Sequence, residues 1–133
     1  MRLLLGIGLA LALAFGAVTL VALEGREVVV VETTDEHGQP RRTRTWIADD
    51  DGRAWIEAAS PERPFLVDLR RQPEFVLERG GGRFACTAEM SSDPDGGHAR
   101  IRNLLAARYG WADRWIGLVA DTHRSLAVRV TCS

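Results

Sequence analysis

The sequence predicts an α+β fold: a mainly antiparallel six-stranded β-barrel with two helical segments, preceded by one N-terminal transmembrane helix. Three observations support this prediction. An uncharged apolar run opens the chain, short β-rich stretches separated by tight turns follow, and helical periodicity returns in only two regions. Six antiparallel strands in about 110 residues expose the fewest edges when they curl into a barrel.

The N-terminal segment predicts a membrane anchor. Residues 3–23 carry no charge and would span about 30 Å as a helix, the thickness of a bilayer core. A signal peptide cleaved after Gly16 is the alternative, but the apolar run continues past that site, which favours an uncleaved anchor over residues 1–24. Because Arg2 precedes the span, the positive-inside rule favours a single-pass protein whose domain, residues 25–133, is extracytoplasmic (periplasmic).

The first half of the domain predicts a three-stranded meander. Residues 27–34 form a β-branched run, residues 38–50 form the second strand and residues 53–60 form the third. Asp51 and Gly52 predict a hairpin between the last two strands, because both central positions of such a turn need positive φ.

The second half adds helices to the sheet. In order, the predicted elements are a short helix (61–73), a hairpin around three glycines (74–90), a long helix from His98 to Gly110 followed by a second helical piece, and a strand (125–132). Residues 91–97 are rich in Asp and Gly but lack the further carboxylates of a calcium loop, so they predict a helix-entry loop.

Three arginines fall within the second strand. By the two-residue period of a strand, one face carries Arg42, Arg44 and Trp46, and the other carries Arg41, Thr43, Thr45 and Ile47. Guanidinium groups beside hydroxyl or indole groups suit a phosphate or carboxylate ligand. The alternative is a charged edge strand that stays soluble without binding anything.

Composition limits the function further. The net charge is −1, which disfavours nucleic-acid binding, and all 17 basic residues are arginine, which excludes a lysine Schiff base. Catalytic motifs such as a Ser-His-Asp triad, a phosphate-binding glycine loop and HExxH are absent, and the cysteines and histidines do not have zinc-site spacing. Catalytic residues and a metal site are therefore not predicted.

The aromatic and cysteine residues leave alternatives open. The four tryptophans would pack in any core, and they would equally border a flat cofactor ring. Cys86 and Cys132 each fall on the apolar face of a predicted strand. They would be buried free thiols in the cytoplasm, whereas a disulfide joining two strands is expected in an oxidising compartment.

The order βββαββαβ and several short sequence motifs resemble the deazaflavin-dependent nitroreductase family. This family belongs to the flavin-reductase split-barrel superfamily, which includes pyridoxamine phosphate oxidase. The motifs are "TT....GQPRRTRTW", "DG.AW...AS", "FLVDLRRQPE" and "YGWADRW", and a final strand follows them. The resemblance implies a split β-barrel that binds a deazaflavin coenzyme, or less commonly FMN or haem, and passes hydride to a quinone or nitro acceptor. The family is often dimeric, so a homodimer is one expected assembly.

The resemblance also implies a set of cofactor-binding residues. Carried over position by position, they are Arg41, Thr43, Arg44 and Trp46 on the second strand, Ser60 after the third, Phe65 at the start of the short helix, and Tyr109, Trp111 and Trp115 in the late aromatic cluster. The chain departs from the family pattern at two places. It reads "PERP" after Ser60, where the family commonly has a basic or glycine-rich loop, and "FLVDL" in the short helix, where the family carries polar groups.

Two functional hypotheses follow. The first is a membrane-anchored nitroreductase or quinone reductase that uses a deazaflavin or flavin cofactor, with the cofactor performing the difficult chemistry. The rival is a membrane-tethered binding or structural module that retains the barrel without redox activity. The replaced helix residues motivate the rival, and so does a conflict of compartment: the deazaflavin coenzyme is expected in the cytoplasm, whereas the positive-inside rule places the domain outside.

Overall fold

A computed structural model describes residues 1–24, 27–91, 94–120 and 122–133. In chain order the elements are α1 (Arg2–Glu24), β1 (Val28–Thr34), β2 (Pro40–Asp50), β3 (Arg53–Ala58), α2 (Pro64–Arg71), β4 (Glu74–Arg79), β5 (Gly82–Met90), α3 (Pro94–Tyr109), α4 (Trp111–Val119) and β6 (Leu126–Cys132). The predicted α+β order is confirmed, and the second helical segment is divided into α3 and α4. The predicted start of the domain at residues 25–26 and part of the predicted helix-entry loop lie outside the described residues.

The six strands form a closed barrel. Their order around it is β1-β2-β3-β6-β5-β4, and every pairing is antiparallel. β4 closes the barrel by pairing with β1, and β6 lies between β3 and β5. The largest buried strand residues that fill the interior are Val29, Val31, Ile47, Ile56, Phe75, Leu77, Val128 and Val130. Closure pairs the strand edges that an open sheet would expose.

Glycines set two of the chain reversals. Asp51 and Gly52 both have positive φ, 51° and 73°, as the predicted hairpin between β2 and β3 requires. Gly110 has φ 51° and separates α3 from α4, because a residue in the left-handed region ends a helix. α4 therefore leaves the axis of α3 and can pack elsewhere.

The helices cover different parts of the barrel. α2 contributes Phe65, Leu66 and Leu69 to the barrel core. α3 packs Ile101 and Leu105 against the outside of the barrel. Each helix thus buries one apolar stripe, which is what positions it.

One buried carboxylate ties α2 to two strands. Asp68 accepts hydrogen bonds from Thr33 Oγ1 in β1 and from Arg41 Nε in β2, each at 2.8 Å. A buried charge is tolerated only when it is paired and hydrogen-bonded, as it is here. The contact fixes α2 against the start of β2.

The two-residue period of a strand places Phe84 on the same face as Cys86, Ala88 and Met90, where an apolar ring would be expected to enter the core. The side chain of Phe84 is 43% exposed, whereas Cys86 and Ala88 are buried. The ring lies over Gly82, where a Cβ atom would come within 2.8 Å of it. The phenylalanine covers the tip of the β4–β5 hairpin instead of entering the core.

α1 is long and apolar enough to cross a membrane. The segment Leu4–Ala22 has 19 residues with a mean hydropathy of 2.4, and most of its large apolar side chains are exposed. A signal sequence near an N terminus would meet the same criteria. The structure therefore confirms the predicted apolar helix.

Cys86 in β5 and Cys132 in β6 form a disulfide and are therefore not free thiols. The two residues are directly paired across the β5–β6 ladder and are separated by 46 positions in sequence. The bond therefore links the hairpin to the last strand of the barrel.

Replacing both cysteines by serine should lower the free energy of unfolding by about 2–4 kcal/mol, because a loop of this length is no longer restricted in the unfolded chain. Urea unfolding of the detergent-solubilised protein measures the difference, and reduction of the wild type should reproduce it. An unchanged midpoint in both experiments would show that the disulfide does not contribute to stability.

Candidate functional site

A cavity of about 420 Å³ opens on the side of the barrel between β2 and the end of β3. Its walls are formed by Val28, Thr43, Arg44, Thr45, Trp46, Glu57, Ala59, Arg63, Phe65, Ile116, Ala120, Thr122 and Ser125. These residues come from β1, β2, β3, α2, α4 and the segments that follow β3 and α4. The volume lies within the range of about 300–1,000 Å³ that is usual for small-molecule sites.

The cavity forms because the β2–β3 ladder is short. The two strands pair only from Ile47↔Ile56 to Asp50↔Arg53, although β2 continues back to Pro40. Beyond the last pair, Thr45 Oγ1 donates a hydrogen bond to the carbonyl oxygen of Glu57 at 2.8 Å. A side chain thus replaces the next backbone contact, and the strands separate around the cavity.

The cavity wall combines cations and hydroxyl groups with apolar side chains. Arg44 and Arg63 supply guanidinium groups, and the hydroxyl residues are Thr43, Thr45, Thr122 and Ser125. Within the described part of the chain, the Arg63 guanidinium is not engaged in an ion pair. Trp46 and Phe65 supply flat apolar surface. Such a wall suits a ligand with an anionic tail and an aromatic ring.

Among the described wall residues, Glu57 supplies the carboxylate, and this carboxylate is neutralised from behind. Arg102 in α3 approaches Glu57 Oε1 at 3.0 Å and both carboxylate oxygens of Asp113 in α4 at 2.7 Å. Burial alone would lower the pKa of Arg102, but the two carboxylates outweigh it and raise the pKa. The bridge holds β3, α3 and α4 together and prevents Glu57 from repelling an anion in the cavity.

Four of the predicted site residues meet at this cavity. Thr43, Arg44 and Trp46 lie on β2, and Phe65 lies at the start of α2, as the sequence pattern places them. Ser60 lies just beyond the wall residue Ala59, and its carbonyl oxygen accepts the backbone N–H of Arg63 at 3.2 Å. The structure therefore brings one part of the predicted set together.

The other four predicted residues lie outside the cavity wall. Arg41 is paired with Asp68, and Trp111 is exposed. Tyr109 donates a hydrogen bond to the carbonyl oxygen of Ile47 at 2.8 Å. Trp115 donates from Nε1 to Thr19 Oγ1 at 2.9 Å. Their cofactor-binding role remains a prediction, and in this structure each has a different neighbour.

Sequence reasoning missed several wall residues. Arg63 had a usable signal, because it lies between Ser60 and Phe65, which were both predicted as site residues. Glu57 and Ser125 had none, because their contacts lie far away in sequence. Ser125 is buried, and its Oγ lies 3.0 Å from His98 Nδ1. Among the described residues, clusters of three or more His, Cys, Asp or Glu residues that could hold a metal ion are absent.

Solved structures with the same architecture identify the type of fold. A conserved hypothetical protein of Mycobacterium tuberculosis has 22% identity and a TM-score of 0.62, covering 84% of this chain and 78% of its own. The fold is a split barrel of the pyridoxamine phosphate oxidase type. A Clostridium acetobutylicum protein of the pyridoxinephosphate oxidase family, related to general stress protein 26, shares the split barrel at 18% identity and a TM-score of 0.58, covering 84% and 78%.

A further split barrel is an F420 reductase, at 15% identity and a TM-score of 0.55, with 80% of this chain and 86% of that chain covered. Neither a family model nor a curated protein matches the chain. At these sequence identities the comparisons establish the shared fold. They therefore confirm the split barrel that was inferred from the short sequence motifs.

Tyr109 gives a direct test of the packing beside the cavity, because it is the only tyrosine in the chain. Burial raises the pKa of its phenol above the ordinary value of about 10. We expect ultraviolet titration of the folded protein to show tyrosinate forming at higher pH than in urea. The unfolded chain then loses its proton first, so the free energy of unfolding falls as pH rises through the folded pKa.

The matched variant is Tyr109→Phe, which should lower the free energy of unfolding by about 1 kcal/mol near neutral pH and remove the alkaline slope. Identical titration curves for the folded and unfolded wild type would contradict the buried phenol.

Proposed function

We propose that this protein is a membrane-anchored oxidoreductase whose split barrel binds a deazaflavin or flavin cofactor in the cavity between β2 and β3. The observation that carries the proposal is the pairing of two guanidinium groups with flat apolar walls in one cavity of suitable volume. The shared fold with a protein described as an F420 reductase adds support.

The residues present fit such a cofactor. Arg44, Arg63 and Thr43 would hold its anionic tail, because guanidinium and hydroxyl groups are the strongest neutral-pH partners of phosphate in a chain that lacks lysine. Trp46 and Phe65 would border its ring. Of the residues carried over from the family pattern, we therefore assign binding first to those that line the cavity.

The chemistry proposed is hydride transfer to a quinone or nitro acceptor, which the bound cofactor supplies. The chain's own contribution is to orient the cofactor and the acceptor and to exclude water from the cavity. Burial of Glu57 and Ser125 in the wall, and the bridge from Glu57 to Arg102, keep the polar groups fixed before a ligand arrives. Such preorganisation lowers the cost of binding.

We also propose that α1 anchors the protein and that the barrel is extracytoplasmic. The disulfide supports this side, because disulfides persist in oxidising compartments and are rare in the cytoplasm. The position of Arg2 before the span favours the same orientation. An extracytoplasmic barrel would favour a flavin over a deazaflavin as the resident cofactor, because the deazaflavin coenzyme is expected in the cytoplasm.

Cofactor binding can be measured with the full chain in detergent. Titration with the deazaflavin coenzyme, FMN and haem should perturb the absorption spectrum of one of them at micromolar concentration. Arg44→Gln and Arg63→Gln should each weaken that binding by about 10-fold to 100-fold, the loss of one charge-assisted hydrogen bond.

The control is Arg53→Gln, which removes an exposed arginine at the start of β3, away from the cavity, and should leave the affinity unchanged. Spectra that stay unperturbed by all three compounds, with the protein folded, would exclude the redox proposal. They would favour the rival, a tethered binding module, for which the engagement of Arg41 by Asp68 already argues.

Sidedness has a separate test. In intact cells, a membrane-permeant alkylating reagent should leave Cys86 and Cys132 unmodified. Both cysteines should react only after a reductant is added. Alkylation of both cysteines without reductant would place the domain in a reducing compartment and contradict the proposed orientation.

A further inference from the structure

α4 exposes an unusually apolar outer face. Trp111 is 55% exposed and Leu118 is 81% exposed, and they lie seven residues apart, on the same side of the helix. Val119 is 42% exposed on the flank of this face. A single exposed apolar residue is ordinary, but a stripe that contains a tryptophan marks an interaction surface.

The same helix packs against the membrane-spanning candidate. The rings of Trp115 and Phe15 have centroids 5.2 Å apart, and Trp115 Nε1 donates to Thr19 Oγ1 at 2.9 Å. Ala22 is buried in one cluster with the α4 residues Ala112 and Ile116. α4 is thus held beside the last two turns of α1.

The contacts place α4 at a definite depth. At a rise of 1.5 Å per residue, Thr19 lies about 4–5 Å, and Phe15 about 10 Å, before the end of the span at Ala22. Helices that lie in the membrane interface bury their apolar face about 5–10 Å into the boundary between headgroups and acyl chains. The two depths agree.

We propose that the outer face of α4 is a second membrane contact, which lies in the bilayer interface and holds the barrel against the lipid. This inference rests on the proposed anchoring by α1. Tryptophan is enriched at the membrane–water interface, where Trp111 would lie, and Leu118 would enter the acyl region. Arg114 is exposed on α4 close to this face and would reach the headgroup phosphates.

The placement also orients the cavity. Ile116 and Ala120 line the cavity from α4, while Trp111 and Leu118 point away from it. One helix therefore separates the cavity from the bilayer. The acceptor class that this arrangement favours is a lipophilic molecule that partitions into the membrane, since the cavity would lie one helix diameter, roughly 10–12 Å, from the lipid.

Quenching of Trp111 tests the contact in the full chain reconstituted into phosphatidylcholine vesicles. The difference in emission between the wild type and Trp111→Phe isolates this residue. We expect phosphatidylcholine brominated near the headgroup to quench it and aqueous acrylamide to leave it largely unquenched. Leu118→Glu should reverse that order by lifting α4 into water, whereas Val67→Glu, which changes an exposed apolar residue of α2, should not.

The outcomes separate the inference from the anchoring. Flotation of the vesicles after an alkaline wash reports α1 alone, and a chain that fails to float overturns both proposals. If the chain floats and acrylamide quenches Trp111, only the membrane contact of α4 is overturned. If Trp111 is shielded from both quenchers and the protein is a dimer in detergent, the face belongs to a second copy and the inference is also overturned.

Discussion

The limited pairing of β2 with β3 is the constraint on which the site depends. β2 pairs with β1 from Pro40 to Trp46 but with β3 only from Ile47 onward. Continued in the same register, the ladder would bring Glu57 opposite Trp46 and fill the space that the cavity occupies. The opening in the wall is therefore created by pairing that stops early, and the side chains around it come from whichever elements can reach the exposed edge of β2.

Buried carboxylates position the helices around this opening. Asp68 fixes α2 to β1 and β2, and Asp113 is joined to Glu57 through Arg102. Such pairs add little net stability compared with apolar packing, but they penalise any arrangement that leaves a charge without its partner. Arginine suits the bridging position because its planar fork can meet two carboxylates at once. The arginines thus position helices against strands as well as supplying positive charge.

The sequence predicted the elements whose signals are local. Strand alternation, the Asp51-Gly52 hairpin and the glycine that ends α3 each depend on a few adjacent residues, and the structure has all three. Three of the wall residues, Thr43, Arg44 and Trp46, were placed on β2 for the same reason. The rest depends on long-range contacts: Arg41 meets Asp68 across 27 positions, and Trp115 meets Thr19 across 96. Periodicity cannot show which distant side chain a residue will meet.

The position of β6 has a consequence for how the protein forms. β6 is the last strand in sequence, yet it lies between β3 and β5 in the barrel. β1 and β4 can already pair, but the barrel cannot close until residues 126–132, which bridge β3 and β5, have left the ribosome. The barrel is therefore slow to complete, and the edges of β3 and β5 stay exposed during synthesis. If α1 anchors the protein, as proposed above, the barrel is still incomplete when α1 reaches the membrane. The topology is thus compatible with translocation of an unfolded chain, followed by folding and oxidation of the cysteines.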